Sequence, residues 1–141
     1  MTATPGYSGK PLVSKLGIKP GQRVSIVGAP AGFRLAGLPE GVALTGGRSA
    51  ELDLILLFVP DRASLRKEFQ KQAKRLKQAG QLWVAWPKKA SKVASDLTED
   101  GVREVCLPTG FVDVKVCAID DTWSGLKLVV RRELRSSRRE A

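Results

Sequence analysis

Residues 24–33 read VSIVGAPAGF. Val24, Ile26 and Val27 form an apolar strand, and Gly28, Pro30 and Gly32 punctuate the turn after it. Parallel α/β sheets use such a strand and turn to bring backbone N–H groups against a nucleotide, with glycine wherever the chain must come close. Pro30 stands at the middle of that turn with no N–H to donate and a ring where backbone should approach. The same ten residues therefore argue for a nucleotide-fold scaffold and against a coenzyme held in the usual way.

Working outward, residues 12–18 predict a short helix closed by Gly17 and the turn Lys19-Pro20-Gly21. Residues 23–28 are the first strand. Five glycines and prolines between 30 and 41 leave room for one helical turn at most. Residues 42–45 are a weak second strand, ended by Gly46-Gly47. Residues 52–59, LDLILLFV, are apolar on both faces as a central parallel strand requires. Residues 61–79 predict a helix capped by Asp61, with Leu65, Phe69, Ala73 and Leu76 on one stripe and Gly80 as its stop. A fourth strand follows at 82–86, then a loop over 87–95. Thr98 caps a second helix over 99–107, and Leu97 with Val102 has hydrophobic-staple spacing.

Residues 111–119 and 126–132 are the last two strands, expected to pair antiparallel across the connection 120–125. Alternation puts Val112, Val114, Val116 and Ala118 on one face and Asp113, Lys115 and Cys117 on the other, with Asp113 or a hairpin neighbour as partner for Lys115. Strands alternating with helices and closing on a hairpin predict an α/β fold. It is a three-layer Rossmann-like sheet, mostly parallel, with an antiparallel C-terminal hairpin. A single domain is expected over 1–132, with a basic, flexible tail over 133–141.

The chain has 141 residues, enough to bury a core without disulfides or metal. It contains no histidine and two cysteines, which excludes Cys/His zinc sites and every Ser-His or Cys-His nucleophile. The opening MTATPGYSGK shows no cationic start followed by an apolar core, so a cytoplasmic chain with free thiols at Cys106 and Cys117 is expected. The apolar run at 54–60 is too short to span a membrane, and no membrane partner is expected. The net charge of +10 is uneven. Residues 61–80 carry seven basic and two acidic groups, whereas 96–121 carry two basic and seven acidic.

The segments LDLILLF, AGQLWVAW and VDVKVCAIDDTWSGLKLVV resemble the fourth strand, fifth strand and closing hairpin of class I AdoMet-dependent methyltransferases. The run from LWVAWPKKAS to LKLVVRRE, with the opening GYSGKPLVSKLGIKPGQRV, resembles a family of small bacterial proteins of unknown function over nearly the whole chain. The methyltransferase resemblance implies a G-x-G-x-G turn falling on Gly28, Pro30 and Gly32, and an acid after the second strand to hold ribose hydroxyls. Here proline takes the middle position, and Val42-Ala43-Leu44-Thr45 supplies no acid. Only residues 46–51 separate the second and third strands, so one strand–helix unit is missing. These departures argue against AdoMet as a cofactor, though a divergent methyltransferase with an altered first turn stays open. Fold alone does not fix function.

Two candidate sites follow. In open parallel sheets ligands lie beyond the carboxyl ends of the strands. There Gly28, Pro30, Gly32, Trp86, Lys88, Lys89 and Trp123 would line a crevice for an anionic small molecule or a macromolecular partner. Lys92 adds charge beside Trp86. Trp86 either stacks a base or packs on the sheet, and Trp123 either belongs to the hairpin turn or covers the crevice. On the first long helix, Lys71, Lys74 and Arg75, with Arg66, Lys67 and Lys77, form either a nucleic-acid surface or a solvated outer face. Asp96, Glu99 and Asp100 are read as helix-capping charge rather than catalytic acids, and Asp120 and Asp121 as turn formers.

Overall fold

The computed structural model describes residues 10–135. The opening stretch 1–9, read above for an export signal, and the tail end 136–141 lie outside the described residues. Six strands form one sheet in the order β2-β1-β3-β4-β6-β5. They are β1 (Arg23–Val27), β2 (Ala43–Leu44), β3 (Leu52–Phe58), β4 (Leu76–Pro87), β5 (Phe111–Ala118) and β6 (Trp123–Val130). The first four run parallel, and β6 is antiparallel to both β4 and β5. The fold is the mostly parallel α/β sheet expected, with one refinement: β6 is inserted between β4 and β5, so the hairpin's first strand forms the edge.

The helices are α1 (Leu12–Leu16), α2 (Arg62–Ala73) and α3 (Glu99–Cys106). On one face α2 and α3 press Leu65, Phe69, Val102 and Cys106 onto Ile55, Leu57, Leu82 and Val84 of the central strands. Each such burial contributes about 1.5–3 kcal/mol. Asp61 accepts from Ser64 N at 2.8 Å and Thr98 from Gly101 N at 3.0 Å, so both expected caps form. The opposite face carries only the five-residue α1 and the irregular segment after β1, which lays Phe33, Leu35, Leu38 and Val42 against Leu54, Leu56 and Phe58. Neither the β1–β2 nor the β2–β3 connection contains a helix.

Three expectations need correction. The first long helix stops at Ala73 instead of 79, and the fourth strand starts at Leu76 instead of 82. Leu76 suits a helical stripe, but here it pairs with Leu52, and Leu52 N donates to Arg75 O at 2.9 Å. The register then jumps, so that Gln81 meets Leu54. Gly80 marks that irregularity and not a helix stop; a Cβ on it would fall 2.8 Å from Leu76 Cγ and 3.0 Å from Leu52 O.

The last strand likewise begins at Trp123, within the expected turn. Asp120 Oδ1 accepts from both Thr122 N and Trp123 N, which closes the turn early. Gly125 is a strand residue; a Cβ there would lie 2.8 Å from Ile119 Cδ1 and 3.1 Å from Trp83 Cε3. Finally, the alternation expected along β5 fails, because the register shifts between Asp113 and Lys115. Asp113 stays on the α3 side and pairs with Arg103 at 2.9 Å. Lys115 emerges on the α1 side, where its Nζ donates to Lys15 O at 3.4 Å. Asp113 is therefore not its partner.

Candidate functional site

Gly28, Phe58 and Trp86 stand at the carboxyl ends of the neighbouring strands β1, β3 and β4, and the expected crevice residues lie in the turns that follow. Gly28 takes φ +73° directly after β1, and a Cβ on it would sit 2.7 Å from Phe58 O. Only glycine fits so close to the neighbouring strand. Gly32 is also left-handed, at φ +84°, but faces open space. Between them Pro30 accepts from Phe33 N at 3.1 Å through its carbonyl, closing a tight turn. That turn delivers Phe33 onto Phe58, with ring centroids 4.9 Å apart and planes at 65°. Phe58 in turn meets Trp123 at 5.0 Å and 84°. The three rings form a chain of edge-to-face contacts on the α1-facing side of the sheet.

Lys88 and Lys89 follow β4, and Lys89–Ser91 forms a short 3-10 turn. Lys88 N donates to Thr122 O at 2.8 Å, and Ser91 Oγ donates to Lys88 O at 2.6 Å. The lysine loop is thereby fastened to the hairpin turn that carries Trp123. Lys89 and Lys92 are exposed and Lys88 half-buried. Trp86, by contrast, is 5% exposed and belongs to the core under α2 and α3, so its ring packs on the sheet and cannot stack a ligand. Two carboxylates of these turns are committed to backbone. Asp61 caps α2, and its hydrogen bonds from Ser64 hold its pKa below the ordinary range. Asp120 holds the hairpin turn.

The basic helix face resolves differently. Lys71 and Lys74 are exposed at the last turn of α2, near the amino ends of the strands and far from Lys88 and Lys89. Arg75 lies beyond the helix and faces inward. It donates to Ser49 O at 2.7 Å, Gly46 O at 2.6 Å, Gln72 Oε1 at 2.6 Å and Ser25 Oγ at 3.2 Å. Burial pulls its pKa below the ordinary value. The acids read as capping charge are structural too: Asp96 accepts from Arg62 N at 2.8 Å, while Glu99 and Asp100 pair with Arg103 at 2.6 and 3.1 Å. Burial pushes the Cys106 thiol up to about 12, which leaves it unreactive. Among the described residues no three His, Cys, Asp or Glu side chains gather in a metal-binding group. Among them, too, no helix is long and apolar enough to cross a membrane.

Sequence reasoning missed the Phe33–Phe58–Trp123 wall. Its one signal was apolar Phe33, Leu35, Leu38 and Val42 inside a stretch too rich in glycine and proline for any helix. Those residues fill in for a missing helix and have no period to read.

No protein-family model and no curated protein matches the chain. Solved structures do. A SAM-dependent methyltransferase from Aquifex aeolicus superposes with TM-score 0.62 at 16% identity, covering 84% of this chain and 88% of that one. A ribosomal protein L11 methylase from Lactobacillus delbrueckii gives 0.57 at 13%, covering 86% and 76%. Magnesium protoporphyrin IX methyltransferase from Synechocystis, solved with bound SAM, gives 0.58 at 12%, covering 84% and 74%. At these identities the likeness concerns architecture: the chain has a truncated fold of the class I SAM-dependent methyltransferase type.

Proposed function

We propose that the chain works by binding a small anionic ligand in the crevice and not by transferring a methyl group. Lys88 and Lys89 would meet the ligand's charge, and the edges of Phe33 and Trp123 its apolar part. One observation carries this reading. The turns at the crevice offer cations and aromatic surface, while Pro30 occupies the bend and Asp61 and Asp120 are tied to backbone N–H groups.

A second reading, a divergent AdoMet-dependent methyltransferase, is favoured by the structural neighbours. All three named above are methyltransferases, one of them with bound SAM. On the comparisons alone it is the better supported of the two. Against it stand the absence of an acid at the carboxyl end of β2, where Thr45 follows Leu44, and of a helix between β1 and β2.

Calorimetric titration with AdoMet, S-adenosylhomocysteine and ADP separates them. Micromolar AdoMet binding would establish the second reading. Binding of ADP without AdoMet, lost in a Lys88→Gln/Lys89→Gln variant, is what the first requires. Nucleic-acid binding through Lys71 and Lys74 would instead give a salt-dependent affinity for mixed RNA or DNA, and a flat log–log salt slope would exclude it.

A further inference from the structure

A second basic cluster lies on the α1 side of the sheet, away from the crevice. Lys115 and Lys127 are direct cross-strand partners. Lys127 also pairs with Trp83, four positions along β4 from the crevice end at Pro87, or roughly 13 Å. Both side chains reach the carboxyl end of α1. Lys115 Nζ donates to Lys15 O, and Lys127 Nζ lies 4.0 Å from where a Cβ on Gly17 would sit. Lys19 follows two residues after Gly17. Its charge and that of Lys115 add to burial, the largest cause, in pulling the Lys127 ammonium below its ordinary pKa.

Like charges directly opposite on a sheet repel, and partial burial deepens the penalty. Among the described residues no carboxylate forms an ion pair with Lys19, Lys115 or Lys127. The nearest candidate in sequence, Asp113, is turned to the other face by the β5 bulge and held by Arg103. Nor do the carbonyls ending α1 explain the cluster. Lys15 O takes Lys115, Leu16 O takes Trp83 Nε1 at 3.0 Å, and Lys127 is left over. The Gln81 carboxamide adjoins the same place. Its Oε1 is 3.4 Å from the Gly17 Cβ position, buried and without a hydrogen-bond partner.

We propose that Lys115 and Lys127, with Lys19 following the helix end beside them, form a binding site for a compact phosphate-bearing anion of di- or triphosphate size. Lys115 and Lys127 stand opposite each other beside the helix end that Lys19 follows in the chain, an arrangement that suits a compact anion. An extended nucleic-acid backbone would need cations in a line, and Lys71 and Lys74 stand on α2, across the sheet. The site shares no residue with the crevice, so its test is independent of the reading proposed there.

The test is titration of the full chain with inorganic pyrophosphate and tripolyphosphate at low salt. Saturable binding is expected, weakened about tenfold by Lys115→Gln and again by Lys127→Met. In parallel, NMR titration of the lysine ammonium groups should show pyrophosphate raising the Lys127 pKa toward its ordinary value. The proposal is overturned by absence of wild-type binding at millimolar pyrophosphate. A Lys115→Gln/Lys127→Met protein that is folded and binds as wild type overturns it equally. So does binding of oligonucleotides alone, lost on Lys71 and Lys74 substitution.

Discussion

The two faces of the sheet are built by different means. Under α2 and α3, ordinary amphipathic periodicity produces a continuous core, capped at Asp61 and Thr98 and stapled by Leu97 and Val102. Under α1 there is one short helix, an irregular apolar segment, and individual side chains reaching for backbone. Trp83 Nε1 holds Leu16 O. Where helices are missing, single polar contacts take over their work. The cover also runs out before β5 and β6, which leaves Lys115 and Lys127 facing each other.

Substitutions can break or sharpen this contrast. The largest loss is expected on the helical face: Phe69→Ala empties a fully buried site that also meets Phe111 edge-on at 5.1 Å. It should cost about 3–5 kcal/mol by chemical denaturation. Arg75→Met comes next, since it abandons two carbonyls and two side-chain partners; about 2–3 kcal/mol is expected. A loss under 1 kcal/mol would mean that Arg75 is not what holds the helix-free β2–β3 connection. Trp83→Phe removes one hydrogen bond, leaving Leu16 O unsatisfied, and empties part of a fully buried ring site. The expected cost is about 1–2 kcal/mol, with faster amide exchange confined to α1 and its junction.

The smallest effect has the opposite sign. Lys127→Met should stabilise by about 0.5 kcal/mol at neutral pH by removing a cross-strand repulsion. The Lys127 pKa is lowered on folding from 10.5, so the penalty exists while the ammonium is charged and fades as pH rises through the folded value. The gain of the variant should accordingly shrink in melts taken at increasing alkaline pH. A gain independent of pH would point to packing instead of charge.

What could be read from sequence follows the same division. Local rules sufficed for the caps, for the stripe Leu65, Phe69 and Ala73, and for the apolar strand at Leu52–Phe58. They failed where a distant segment decided the outcome. Leu76 satisfies both a helix and a strand pattern, and only its pairing with Leu52 settles which. Trp123 looked like a turn residue until paired with Pro87. The β5 bulge, invisible in a clean alternation of valines, turned Lys115 to the other face. Of the crevice, the glycine turn and lysine loop were legible, because their residue types announce them. The aromatic wall was not, since its members come from three unrelated segments.

The insertion of β6 between β4 and β5 bears on how the chain reaches this state. Among the six strands, the last to leave the ribosome is an interior one. Until it arrives, β4 presents an open, apolar hydrogen-bonding edge and β5 has nothing to join. A nascent chain stalled near residue 122 would thus expose a sticky border to its neighbours, and would rely on speed of synthesis or a chaperone to stay single.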